Sequence, residues 1–184
     1  PVVATGVGAG AAMVSDRRTS GTYVEDEGIE WKVAARIRER LGDSVHVNVT
    51  SYNRNVLLTG EAPNETVRGQ LDGIVAGVEN VRGVNNEVAI APNSSLTAHG
   101  NDTLITSNVK ARMIDSGAVS AHNVKVVTEA NVVFLLGIVP RSEADAAAEV
   151  ARTSQGVRKV VRVFEYISDE EARRLDNPTG ARRN

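Results

Sequence analysis

The side chains able to do chemistry are few, and their spacing offers them little to do it with. His46, His99 and His122 are the histidines of the chain. His46 and His122 fall in corresponding loops before Val-x-Val segments, and His99 falls in a polar connector. A metal site would want two or three ligands in close spacing, as on one helix face, so these read as solvated or partly packed loop residues. Glu25, Asp26, Glu27 and Glu30 cluster where an amphipathic segment begins, a place where carboxylates favour a helix N-terminus. A catalytic pair would also need a pocket that shifts its pKa values. The serines lack a G-x-S-x-G context, and Gly6-Val-Gly8-Ala-Gly10 follows no strand pattern, so neither a hydrolase nor a dinucleotide site is supported. With no cysteine in the chain, disulfides, thiolate chemistry and cysteine-bound zinc are excluded. The expectation is a protein with no catalytic residue, no metal and no cofactor.

The elements that would position any site come in two copies. Val47-Asn-Val-Thr-Ser-Tyr52 and Val56-Leu-Leu-Thr-Gly60 with Pro63 align with Val124-Lys-Val-Val-Thr128 and Val133-Phe-Leu-Leu-Gly137 with Pro140, at an offset of 77. Ile29, Val33 and Ile37 match Ile105, Val109 and Met113 at an offset of 76, as Val81 and Val84 match Val157 and Val160. Each copy opens with apolar residues at i, i+4 and i+8, an amphipathic helix expected near 28–41 and 102–115, the second capped by Asn101-Asp102-Thr103. Val45, Val47 and Val49 alternate as a half-buried strand. Turn residues follow, then a more continuous apolar strand (Val56–Thr59, Val132–Leu136).

A proline precedes the next helix, where its missing N–H costs nothing. That helix carries Val67, Leu71, Ile74, Val75 and Val78 in the first copy. In the second it carries Ala144, Ala147, Ala148 and Ala151, small enough for close approach to a sheet. A last strand, Val84–Ile90 or Val160–Ile167, closes the unit. The fold class is therefore α+β: two tandem αββαβ domains, each a three-stranded mixed sheet with two helices on one face. The expected division is a flexible segment 1–23, a first domain 24–91, a linker 92–100, a second domain 101–168 and a flexible tail 169–184. Within that tail, Asp169–Arg174 could add a helical turn.

This pattern resembles the BON domain, and two in tandem resemble the dual-BON lipoproteins of the Gram-negative outer membrane. The resemblance covers roughly residues 16–168. Its most specific pieces are Asp16–Asp26, Asn48–Tyr52 with Val56-Leu-Leu-x-Gly60, and Asn101-Asp-Thr-Leu-Ile-Thr106. It implies a non-enzymatic protein facing the periplasm, held on the inner leaflet of the outer membrane and associated with envelope integrity and phospholipid. The family's lipid-modified N-terminal cysteine is absent. The Gly/Ala-rich stretch Val2–Val14 reads as a mature terminus, with the anchor expected just before it. Relatives often carry Trp where this chain has Leu104.

Charge separates the copies. Residues 24–90 hold eleven acidic and seven basic side chains, a net −4; residues 101–168 hold seven and eight, a net +1. With a formal net charge of −2, a general nucleic-acid binder is not expected, whereas the second copy tolerates an anionic partner. If Ile105, Val109 and Met113 face the sheet, Leu104 falls roughly 140° from that stripe. It lies beside Asn108 and Ala111, with Ile114 and Lys110 towards the other flank. A Leu off the buried face and near a cation suits shallow insertion among anionic headgroups.

The residues expected to meet anionic phospholipid are therefore Thr103, Leu104, Ser107, Asn108, Lys110, Ala111 and Ile114. Trp31 lies nearly opposite the Ile29/Val33/Ile37 stripe, beside Arg38. An indole there suits either an interfacial membrane anchor or the joint between the copies, and the acidic charge of 24–90, which an anionic surface would repel, favours the joint. The alternative function is an envelope protein or peptidoglycan interaction module acting through Trp31 or a sheet edge.

Overall fold

The computed structural model describes residues 16–93 and 96–178. The chain divides into two compact units, Ser20–His99 and Gly100 onward, the latter taking in the described residues 16–19. In the first unit the elements are α1 (Ser20–Leu41), a 3-10 turn (Gly42–Ser44), β1 (His46–Tyr52), β2 (Asn55–Ala62), α2 (Glu65–Ala76), β3 (Gly83–Asn86) and β4 (Ala89–Ile90). Then follow α3 (Leu96–Ser116), β5 (Lys125–Glu129), β6 (Val132–Val139), α4 (Arg141–Arg152), β7 (Lys159–Tyr166) and α5 (Asp169–Asp176). The repeated αββαβ order is the one the sequence predicts.

Each sheet is mixed. β1 pairs antiparallel with β2 and β3 parallel to β2, just as β5 pairs antiparallel and β7 parallel to β6. The parallel return needs a crossover, which α2 and α4 supply. Alternate residues of the central strands join the helix stripes in the cores. Val56, Leu58 and Ala62 pack with Ile29, Val33, Ile37, Leu71 and Val75. Val133, Leu135 and Val139 pack with Ile105, Val109, Met113, Ala144 and Ala147. The aliphatic and Ala-rich stripes are buried as their periodicity demands.

The glycines at the ends of the Val-x-Leu-x-Gly runs have a steric reason. A Cβ on Gly60 would run into the His46 carbonyl oxygen, and one on Gly137 into that of Asn123. Gly60 also sits at φ +118°, which a side chain would resist.

Several boundaries depart from expectation. α1 and α3 begin several residues before the periodic apolar stripe; Ser20–Val24 in α1 and Ala98–Asn101 in α3 are exposed or half-buried. Asp26 therefore lies in the body of α1, not at its start, and Asp102 in the body of α3, not at its cap. Part of the expected linker is thus helix, and Ser20–Tyr23 are the first turn of α1. The final strand of the first unit is split into β3 and β4. Arg68 reaches across from α2, donating from Nη2 to the Asn86 carbonyl at 3.0 Å and from Nε to that of Val88 at 2.7 Å.

The segment after 168 contains a full helix, α5, capped by Ser168, whose Oγ accepts from the Glu171 N–H. Ala172 of α5 is buried. Gly6–Gly10, the Val2–Val14 stretch and residues 179–184 lie outside the described residues. No described helix is long and apolar enough to cross a membrane.

Candidate functional site

The outward face of α3 collects the residues singled out for lipid contact. Thr103, Leu104, Ser107, Asn108, Lys110, Ala111 and Ile114 are all exposed, while Ile105, Val109 and Met113 are buried on the opposite side. Leu104 is 70% and Ile114 66% exposed, a large fraction for aliphatic side chains on a helix with a well-filled core stripe. Leu104, Ser107, Ala111 and Ile114 are spaced i, i+3, i+7 and i+10, so they share an arc of about 80° over an axial length of about 15 Å. Two large apolar side chains thus bracket two small ones. Ser107 turns its hydroxyl back onto the Thr103 carbonyl at 3.0 Å, which leaves the seam less polar than its composition.

Three polar ties fix the rotation of α3, so the seam is held outward. Near its start, the buried Asp102 carboxylate accepts the N–H groups of Ala130 and Asn131 at 2.8 and 2.9 Å. In its middle, Thr106 Oγ1 donates to Thr128 Oγ1 at 2.7 Å. Towards its end, Arg112 Nη1 donates to the Val150 carbonyl at 2.7 Å and to Ser154 Oγ at 2.6 Å. Arg112 is therefore spent on the C-terminus of α4, whereas the exposed Lys110 lies on the seam's flank.

The Asp102 tie was not legible from local spacing. The two-residue turn Ala130–Asn131 has both residues at positive φ, the geometry of a tight hairpin, and Ala130 would be disfavoured there without compensation. Asp26 does the same in the first unit. It accepts from the Asn53 and Arg54 N–H groups at 2.8 and 2.7 Å and from Ser51 Oγ at 2.8 Å. Glu30 Oε1 adds the Ser51 N–H at 2.9 Å. The acidic cluster is partly a hairpin clamp, and only Glu27 of its four members is fully exposed.

Arg17 is a second feature without a local signal. Its side chain is 1% exposed, and it donates to both carboxylate oxygens of Glu143, to both of Asp176 and to the Ile138 carbonyl, at 2.7–3.0 Å. Burial works against its charge, but the hydrogen bonds and negative charges of Glu143 and Asp176 outweigh burial and push its pKa up. The segment before α1 is thereby strapped to the start of α4 and to α5.

Trp31, on the outer face of α1, is 74% exposed, and Val24, seven residues earlier on the same side, is 57% exposed. Of the histidines, His122 is exposed in a turn. His46 is not a loop residue: it opens β1 and its Nδ1 lies 2.8 Å from Glu61 Oε2. Its ring stacks on that of His99, with centroids 4.4 Å apart and planes 25° apart.

Comparison with known proteins adds a family. The BON domain model matches residues 26–92 and 101–168. The chain is 39% identical over 170 residues to the outer membrane lipoprotein DolP of Haemophilus influenzae, covering 90% of this chain and 88% of that protein. It is 37% identical over 154 residues to the 21 kDa hemolysin of Actinobacillus pleuropneumoniae, covering 83% and 79%. It is 28% identical over 160 residues to the osmotically-inducible protein Y of Escherichia coli, covering 85% and 80%.

Proposed function

The chain belongs to the BON-domain family, and on that footing we propose that it is a non-enzymatic, periplasm-facing outer-membrane lipoprotein that binds anionic phospholipid through α3 and supports envelope integrity. The observation that carries this reading is the exposed Leu104–Ile114 seam on a helix whose other side is pinned by Asp102, Thr106 and Arg112. A relative 39% identical is named an outer membrane lipoprotein, which supports the compartment and an anchor ahead of the first domain.

Magnitudes indicate how such a face would work. Two aliphatic side chains moved out of water contribute roughly 3–5 kcal/mol before ordering costs. One cation near an anionic surface adds about 1 kcal/mol. That is too little to hold a protein on a bilayer alone, and an acyl anchor supplies the second attachment. In this reading α3 orients and senses the surface, and the anchor retains the protein there. The test is sedimentation of the purified chain with phosphatidylglycerol vesicles at low salt. Binding is expected for the wild type, with at least a tenfold loss in Leu104→Asp; no sedimentation, or an unaffected variant, contradicts the reading.

A second reading follows from Trp31. An indole 74% exposed beside Val24 suits an anchor for another envelope protein or for peptidoglycan. Retention of envelope components that is lost in Trp31→Ala and indifferent to Leu104→Asp selects it.

A further inference from the structure

We propose that the outer edge of β7 takes up an extended acidic peptide as an added strand, with Arg162 and Arg141 meeting its carboxylates. The inference is independent of the lipid reading and of Trp31, and it rests on the second unit alone.

The sheet of that unit runs β5-β6-β7, so β7 is paired along one side, and among the described residues no second strand pairs with it. It keeps register with β6 from Val132 opposite Lys159 to Val139 opposite Tyr166. At eight residues it is the longest edge strand, against seven in β1, five in β5 and four in β3. A row of outward main-chain N–H and C=O groups of that length is a template for another strand. Its sequence, Lys-Val-Val-Arg-Val-Phe-Glu-Tyr, is β-branched and aromatic without glycine or proline, and so suits a pleated edge. Val160 and Phe164 pack against the core, so the edge is already ordered before a partner arrives. The repeat does not require such an edge. In the first unit the returning strand is cut into β3 and the two-residue β4, and Arg68 reaches the carbonyls of Asn86 and Val88 at the break.

Charge selects the occupant. Arg158, Lys159 and Arg162 lie along this edge and are exposed, with Glu165 as the acid of the strand. Arg162 and Tyr166 share the face that meets α4. Arg162 Nη1 donates to Asp145 Oδ1, and the Arg141 guanidinium lies 4.6 Å over the Tyr166 ring. A guanidinium stacked by its face keeps the N–H fork at its rim for a carboxylate, and among the described residues that of Arg141 has no hydrogen-bond partner. The Arg162–Asp145 pair is 40% and 66% exposed, a weak pair whose guanidinium an incoming carboxylate can share. Arg162 and Tyr166 are about 13 Å apart along the strand, so carboxylates at i and i+4 of an added strand reach Arg162 and Arg141 together. A second copy fits less well: the antiparallel register that matches Lys159 with Glu165 sets Arg162 directly against Arg162, and like charges so placed destabilise a ladder.

The experiment adds an acidic octapeptide of alternating threonine and glutamate to the isotope-labelled full chain, and follows backbone amide shifts and exchange. Saturable shifts are expected at 158–166 and at Arg141, with slower amide exchange in β7. The same peptide with its two central threonines replaced by proline should bind about tenfold more weakly or worse, because proline cannot donate to a ladder. A peptide of alternating threonine and lysine should not bind. Arg162→Glu combined with Lys159→Glu, both on the exposed edge, is expected to fold and to lose about tenfold or more in affinity for the acidic peptide. The proposal is overturned by no saturable shift up to about 1 mM peptide, by equal binding of the proline or lysine peptide, by binding unchanged in the double variant, or by shifts centred away from β7 and Arg141.

Discussion

Asp26 and Asp102 occupy equivalent places in the two repeats, each turning a buried carboxylate from a helix onto the backbone N–H groups of the hairpin turn in its own unit. The helix that carries the carboxylate and the hairpin that receives it are thereby locked in register. In the second unit that helix is α3, so the clamp also sets the direction in which Leu104 and Ile114 point.

Replacing Asp102 by Asn removes one acceptor and aims an amide N–H₂ at a backbone donor. The expected cost is about 2 kcal/mol, the range for a buried donor left unsatisfied. The change is read as a lower urea midpoint, with faster amide exchange at Ala130 and Asn131. Asp26→Asn should behave alike, and an unchanged midpoint in both would contradict the clamp.

Gly137→Ala is expected to be worse than its one added methyl suggests. The new Cβ meets the Asn123 carbonyl oxygen, and a backbone atom cannot swing aside as a side chain can. Overpacking of this kind costs typically 1–3 kcal/mol, occasionally more, and about 3 kcal/mol is expected here. Thermal melting checks it, with Gly156→Ala as a milder comparison, since the Cβ there meets only the Ile105 side chain, although its φ of +85° adds strain.

Arg17→Met should release the N-terminal strap and loosen α5. Breaking a buried pair costs typically 3–5 kcal/mol; about 2–3 kcal/mol is expected, because the Asp176 side chain is 41% exposed and water screens it. A guanidinium whose pKa is raised gives stability that is fully present below its unfolded value. That stability is lost only as pH rises through the folded value. The ionisation of Arg17 therefore adds no slope to the wild-type/variant difference between pH 6 and 9. Denaturation series at both pH values test this, and exchange at Ala172 reports the strap.

Trp31→Ala should leave sedimentation with phosphatidylglycerol vesicles within about twofold of wild type, as expected for an indole outside the proposed lipid-reading face. A loss comparable to that of Leu104→Asp would move the membrane contact to α1.

Much of the fold was legible because the core is periodic. Ile29/Val33/Ile37 and Ile105/Val109/Met113 declare their helices, and the paired Gly-x-x-Pro segments mark where each hairpin gives way to a crossover helix. The exposed side of α3 was legible by the same arithmetic, since a buried stripe fixes the opposite face. What spacing could not show were ties between residues far apart in sequence. Asp102 finds its partners at Ala130 and Asn131, Arg17 at Glu143 and Asp176, and His46 lies against His99 across the whole first copy. The opening turns Ser20–Tyr23 and Leu96–His99 carry no apolar period, so the pattern alone marks these helices shorter than they are. At the break between β3 and β4, the reach of Arg68 to the Asn86 and Val88 carbonyls leaves no trace in a hydrophobic pattern.

The central claim, that α3 of the second unit reads anionic lipid, is tested most directly by residue-level chemical-shift changes on adding phosphatidylglycerol micelles to the full chain. The account predicts that the largest changes fall on 103–114, centred on Leu104, Ser107, Ala111 and Ile114, and fade in Leu104→Asp. Changes spread evenly over both units, or centred on Trp31 and Val24 of α1, would contradict it.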